Sequence, residues 1–243
     1  LLEDLYESFK ANGATLNKDD KEKYRKLSMD LSMLTLQFDQ NALKDKNRFE
    51  LLIADENELS GLPESARDAA AMLAKSKDKD GWLFNLSAPS YIPFMRYSDK
   101  RDLREKMYRE YMSVGNKGDE FDNKDIIKKI VNIRLEIAQL MGFKNYAEYA
   151  LEHTMAKNSA NVYKLLNQLL EAYKPIAINE YNAVEGFALG TEKENITVMP
   201  WDWSYYSEKL RDIRFKVNDE MTRPYFELSN VKKGVFGLAT QLY

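Results

Sequence analysis

The chain has 243 residues, 44% of them apolar, with 36 basic against 39 acidic side chains, a net charge of −3 and a pI near 5.5. That is enough apolar material for the core of one large or two small globular domains, and the charge balance gives no electrostatic footprint for nucleic acid or an anionic membrane. No window approaches the roughly 18 apolar residues of a membrane span, no secretion signal opens the chain, and the absence of cysteine removes disulfides, thiol catalysis and thiolate metal sites together.

Helical periodicity dominates from the first residues, where Leu1-Leu2-Glu3-Asp4-Leu5-Tyr6 is already helical in pattern. Tyr24, Leu27, Leu31, Leu34 and Phe38 step by three and four, which predicts one face of a long helix over about 18–45. Two short apolar segments, Arg48 to Ala54 (RFELLIA) and Trp82 to Ser87 (WLFNLS), are bounded by turn formers and read as strands. A helix over about 63–75 separates them. The acidic turn Ser76-Lys77-Asp78-Lys79-Asp80-Gly81 resembles half a calcium loop but fails the full pattern, because Ser76 holds the first ligand position and Ser87 the twelfth, where a bidentate glutamate is needed. It reads as a turn entering the second strand.

Leu103, Met107, Tyr111 and Val114 form the next stripe, started at Ser98-Asp99 and stopped at Gly115. Gly115-Asn116-Lys117-Gly118 lacks the Lys-Ser/Thr ending of a phosphate loop and is a helix stop and turn. Ile126, Ile130, Ile133, Ile137 and Leu140 follow, entered from Asp122-Asn123 and closed at Gly142. His153, the single histidine, lies near an expected helix end, where an imidazolium would favour the negative pole of the helix dipole. A structural role outweighs a ligand or catalytic one, since Ser-His-Asp chemistry aside, a zinc helix of the H-E-x-x-H type requires two histidines. Val162, Leu165, Leu169 and Tyr173 continue after Asn158-Ser159, and Pro175 is expected to kink or end that helix.

Glu192-Lys193-Glu194-Asn195 reads as a solvated loop, and the Asp19-to-Lys23 charge run as the wet face of a helix. Asn85-Leu86-Ser87 and Asn195-Ile196-Thr197 match the glycosylation pattern, from which nothing follows. In Pro200-Trp201-Asp202-Trp203-Ser204-Tyr205-Tyr206, Asp202 is the expected N-cap, with Trp201 and Tyr206 placed as a hydrophobic staple. Core packing explains these aromatics, with stacking against a peptide as the competing use. Val231 to Tyr243 is an apolar helical run without a terminator, so both ends look cut and a fragment is expected. No repeat at about 34 or 40–47 residues is present, against a solenoid. The fold class is therefore mainly α: one multi-helix body over 1–243 with a small two-stranded β patch. No pair among the 39 carboxylates stands out, so no catalytic, cofactor-binding or metal-binding residue is assigned.

"PWDWSYYSEKLR" followed by "RPYFELSNVKKGVFGLATQLY" resembles the segment preceding the catalytic motif of thimet-oligopeptidase-like zinc metallopeptidases, most of all the bacterial peptidyl-dipeptidase (dipeptidyl carboxypeptidase) branch. "LSMLTLQFDQNALKDKNRFELLI", "LSGLPES", "PSYIPFMRYSDKRDLREKMYREYMSVGNKGDEFDNKDII" and "LEHTMAKNSANVYKLL" carry the same likeness along nearly the whole chain. The resemblance implies a Zn²⁺ held by two histidines of H-E-x-x-H and a downstream glutamate, with the motif glutamate as general base. It further implies a helical, two-lobed fold walling a deep channel for short peptides, from whose C-termini dipeptides are removed. The zinc helix of that family lies beyond the segment matching Tyr243, so none of its metal or catalytic residues transfers to a position here. The chain is then expected to supply scaffold and channel wall, to be inactive alone, and to self-associate through bare faces around Val235, Phe236, Leu238 and Leu242. A cytoplasmic setting is favoured, with export left open. The alternative is a non-catalytic helical interaction module of the same ancestry.

Overall fold

The computed structural model describes residues 1–192, 196–216 and 219–243. In chain order it contains α1 (Leu2–Ala11), α2 (Lys18–Arg48), β1 (Leu51–Ile53), a 3₁₀ turn (Glu56–Leu59), α3 (Glu64–Lys75) and β2 (Trp82–Phe84). There follow α4 (Ala88–Tyr97), α5 (Arg101–Met112), α6 (Lys124–Leu140), α7 (Tyr146–Leu151) and α8 (Ser159–Thr191). The chain continues with α9 (Pro200–Phe215), α10 (Asp219–Thr222), a second 3₁₀ turn (Arg223–Phe226) and α11 (Leu228–Leu242). Two compact units emerge: Leu1–Phe49 with Glu110–Asn179, and Glu50–Arg109 with Glu180–Tyr243.

The first unit is built on α2 lying along α6. Asn17 caps α2, its side-chain oxygen accepting from the Asp20 amide at 2.9 Å. The stripe read from the sequence is the face that packs: Tyr24, Leu27, Leu31, Leu34 and Phe38 are buried or half-buried among exposed neighbours. It continues at the same spacing through two fully polar positions, Asn41 and Asp45, both buried. Each has partners, as burial demands. Asn41 donates to Asn123 Oδ1 at 3.1 Å, and Asp45 accepts from the Gly115 amide at 2.7 Å, from Arg48 at 2.7 Å and from Lys117 at 3.2 Å. Gly115 has φ +69° and lies against Asn123, so the expected helix stop is also the donor that satisfies a buried carboxylate.

The second unit holds the expected two-stranded patch. Its strands pair antiparallel with Leu51 opposite Phe84, Leu52 opposite Leu83 and Ile53 opposite Trp82. Leu51 and Ile53 are buried while Leu52 is exposed, the period of two that a half-covered strand requires. Both strands are shorter than the expected 48–54 and 82–87, because α2 runs on to Arg48 and Asn85 bends the chain, its Oδ1 accepting from the Ser87 amide at 3.0 Å. Helix α3 covers β2, and α4 packs on α9. Phe84 and Phe94 meet edge to face at 4.8 Å. The core beside them joins Val184, Ala188, Tyr205 and Tyr206, with Phe187, Ile196, Val198 and Leu210 against it.

Three expectations are corrected. Helix α4 was not anticipated; of its two prolines, Pro89 falls in the first turn, where a missing amide costs nothing, and Pro93 is tolerated inside. Helix α5 starts at Arg101 and ends at Met112, short of both expected bounds. Of the two effects expected of Pro175, a kink or an end, the end does not occur, since α8 runs on to Thr191, while Leu165, Leu169 and Tyr173 of its apolar stripe are exposed. Of the loop expected at Glu192 to Asn195, residues 193–195 lie outside the described residues, as does the second glycosylation sequence at Asn195.

Candidate functional site

A buried polar cluster in the second unit is centred on Asp202. Helix α9 begins with Pro200, whose fixed φ and absent amide suit a first helical position. The N-cap is Met199, so Asp202 is the third helical residue and not the cap expected from sequence. Its carboxylate reaches back to accept from the Met199 amide at 3.0 Å, the acidic half of a capping box at the positive end of the helix. The shift of three residues also removes the expected Trp201–Tyr206 staple.

Two arginines from α5 close on this carboxylate. Arg104, only 1% exposed, donates to Asp202 Oδ1 at 2.8 Å, to the Ser98 carbonyl at 2.7 Å and to the Trp201 carbonyl at 3.3 Å. Arg101 binds in fork fashion through Nε at 3.1 Å and a terminal nitrogen at 2.7 Å, and holds the Thr197 carbonyl at 3.0 Å. Burial alone would raise the Asp202 pKa, but the Arg101 bond, the Met199 amide and Arg104 outweigh it and hold the carboxyl below its ordinary range. The same guanidinium of Arg104 lies 4.0 Å from the centre of the Tyr205 ring.

Around it sits a second carboxylate. Asp99 accepts from the Tyr205 hydroxyl at 2.7 Å, from Ser60 at 2.7 Å and from Lys209 at 3.3 Å. Burial pushes its pKa up, and these three donors more than reverse that. The Tyr205 and Tyr206 hydroxyls are driven well above the usual phenol range, by burial first and then by the carboxylates Asp99 and Glu192 that accept from them. Both hydroxyls therefore keep their protons near neutral pH and serve here as hydrogen-bond donors. Asp99 also lines an open cleft of about 680 Å³ within the second unit, together with Tyr97, Phe187 and, from α9, Glu208, Lys209 and Asp212.

The singled-out residues therefore part company. Trp201, Tyr205 and Tyr206 are buried, the core use of the aromatic cluster, with Arg109 lying 4.8 Å over the Trp201 ring. Trp203 is the half-exposed member, stacked nearly parallel on Tyr181 at 5.8 Å. His153 lies beyond α7, 3.3 Å from Glu152 and 3.9 Å from Glu7. With one histidine and no cysteine in the chain, and no group of three metal-ligating side chains among the described residues, a two-histidine zinc site does not fit these residues. The turn at Ser76 to Gly81 places Asp78 at φ +54° and Gly81 at φ +108°, and it gathers no ligand set.

Arg101, Arg104 and Lys209 were missed because charged positions on amphipathic helices read as solvated, and Asp99 was read only as part of a helix start. One signal was present: Arg104 lies three residues before Met107, on the apolar side of α5.

Residues 94–243 match the family described as Peptidase family M3. Over its full length the chain is 37% identical to Oligopeptidase A of Haemophilus influenzae, of which it covers 36%. It is 37% identical to the Probable cytosolic oligopeptidase A of Arabidopsis thaliana, with 96% of the chain and 34% of that protein aligned. To the Dipeptidyl carboxypeptidase of Escherichia coli it is 30% identical, over 100% of the chain and 36% of that protein. The chain thus spans about a third of the length of these relatives.

Proposed function

Because the chain belongs to peptidase family M3, we propose that it serves in a peptidase that hydrolyses short peptides, contributing scaffold and wall to the substrate space. The family match over 94–243, joined to relatives that align with the whole chain and are described as peptidases, carries this reading. The zinc implied by the resemblance would be held by residues other than those described, since these offer one histidine and no cluster of ligands. The part played by this chain is then positional: the Asp202 cluster locks the first turn of α9 onto α5, and α9 in turn fixes one wall of the cleft.

Higher identity to oligopeptidase A than to dipeptidyl carboxypeptidase supports cleavage within short peptides. The 30% identity with the latter, extending over all of the chain, supports release of C-terminal dipeptides as the second reading. A cytosolic setting has the support of the Arabidopsis relative's description, and no helix among the described residues is long and apolar enough to cross a membrane.

The test is a chimera in which this chain replaces the aligned 36% of the Haemophilus oligopeptidase A. With zinc added, the chimera is expected to cleave a quenched fluorescent octapeptide and this chain alone is not. Mass spectrometry of the products separates internal cuts from successive dipeptide loss. A folded, zinc-loaded chimera that leaves the peptide intact would favour the non-catalytic module, and hydrolysis by this chain alone would overturn the scaffold role.

A further inference from the structure

The cleft of about 680 Å³ in the second unit has walls of two kinds. Pro63, Phe187 and Ile213 give it apolar surface, and Asp99, Glu208 and Asp212 give it carboxylates. The three acids differ in what they already hold. Asp99 is occupied by Tyr205, Ser60 and Lys209. Glu208 accepts from the Tyr97 hydroxyl at 3.2 Å and from Arg211 at 2.5 Å. Asp212 is exposed, and among the described residues its carboxylate has no hydrogen-bond or ion-pair partner.

Asp212 follows Glu208 by one helical turn, so the two carboxylates share one face of α9 while only Glu208 has its cation, Arg211. Of the basic residues lining the cleft, Lys209 is committed to Asp99 and lies 4.3 Å from the centre of the Tyr205 ring, and Arg96 also has a partner. Lys209 offsets Asp99, and Arg211, outside the lining, offsets Glu208, so Asp212 is the lining carboxylate whose charge no described side chain offsets. Ile213, next to Asp212 on α9, and Phe187 of α8 both line the cleft, so apolar surface accompanies the unpaired acid. An acid accompanied by apolar surface suits a long side chain with a methylene stem and a charged head. The cavity lies in the size range of small-ligand sites and exceeds one side chain, which leaves room for the backbone on either side.

We propose that this cleft binds the arginine or lysine side chain of a peptide, with the cationic head paired to Asp212 beside Glu208 and the stem laid on Ile213 and Phe187. The peptide character of the ligand rests on the peptidase reading above; the charge and shape of the subsite do not.

Calorimetric titration of the chain with two end-blocked tetrapeptides tests it, one acetyl-Ala-Arg-Ala-Ala-amide and the other with Gln for Arg. Blocking removes the terminal charges, so any preference reports the side chain. The Arg peptide is expected to bind about two- to fivefold more tightly than the Gln peptide, and Asp212→Asn to lose about that factor, as for one solvent-exposed ion pair. Asp30→Asn in the first unit should leave binding unchanged. Equal affinity for both peptides, an unaltered constant in Asp212→Asn, or no heat with the Arg peptide at millimolar concentration would each overturn the proposal. The peptide comparison uses the unsubstituted chain, so it stands even if a variant misfolds. Binding is read without hydrolysis, so its failure leaves the chimera experiment as the separate judge of the peptidase reading.

Discussion

Asp202 is a fully buried carboxylate whose charge is tolerated because two guanidiniums and an amide surround it. Removing one partner of such a cluster is worse than never having built it, since the remaining charge stays buried and unpaired. Asp202→Ala should therefore cost about 3 to 5 kcal/mol, by stranding Arg104 at 1% exposure. Arg101→Ala should cost much less, because that side chain is 43% exposed and water replaces part of its role. Urea unfolding of the two variants checks the order, and equal losses would contradict it. The cluster also sets an acid limit. Asp202 and Asp99 both ionise more readily folded than in the unfolded chain, where an aspartate titrates near 3.9. Folding thus releases protons in the window below about pH 3.9. Their contribution is complete above that pH and lost as pH falls through the lowered folded values. Thermal melts should hold a level midpoint from about pH 5 to 7 and drop below about pH 4, with a shallower acid limb in Asp202→Asn.

At the scale of elements, the segment entering α3 is joined to the end of α4 so closely that one position must be glycine. Gly61 has φ +83°, and a Cβ there would stand 2.1 Å from the Tyr97 carbonyl, a backbone atom that cannot swing aside. The Asp99 amide donates to the Ser60 carbonyl at 2.9 Å in the same junction. Gly61→Ala should lower stability by about 2 kcal/mol or more, from left-handed strain and backbone displacement together; circular-dichroism melts measure it. Pro175 is the opposite case, a residue that removes a donor from the interior of α8 without ending it. Pro175→Ala should stabilise by about 2 kcal/mol, the interior-proline penalty less the entropy returned to the unfolded chain, and an unchanged melting point would show the helix adapted to it.

These elements also show what the sequence could reveal. The α2 and α6 stripes were legible because spacing alone fixes which face packs, and Gly115 and Gly142, at φ +69° and +86°, were legible as stops because few other residues adopt that backbone. Helix α4 was not, since tertiary packing against α9 overrides the low propensity of a segment with two prolines. The cap of α9 was misplaced because Asp202 is a good residue both for an N-cap and for the third helical position, and only the arginines of α5, about a hundred residues away, decide between them. Nothing local in the sequence marks that pairing.

For the molecule as a whole, exposed apolar residues are numerous toward residue 243. Every residue from 221 to 243 whose exposure is described is solvent-exposed, although α11 places Val231, Val235, Leu238 and Leu242 at helical spacing. A 15-residue helix whose every residue is solvent-exposed is marginal in water, because most helical stability in proteins comes from packing an apolar face. Two consequences follow for the chain alone. Its α11 amides should exchange with solvent far faster than those of α9, whose first two turns are anchored by buried Trp201, Asp202, Tyr205 and Tyr206. The exposed face, with Phe236 at 70% and Val235 at 61%, should also drive concentration-dependent association. Light scattering of the chain is expected to show a mass rising with concentration above that of a 28.3 kDa monomer. A Val235→Ser, Phe236→Ser double variant should move it back toward the monomer, since it deletes apolar contact area without touching any buried residue. A clean monomer at millimolar concentration would sink the association, while slow exchange in α11 of that monomer would mean that the helix has found its cover within the chain itself.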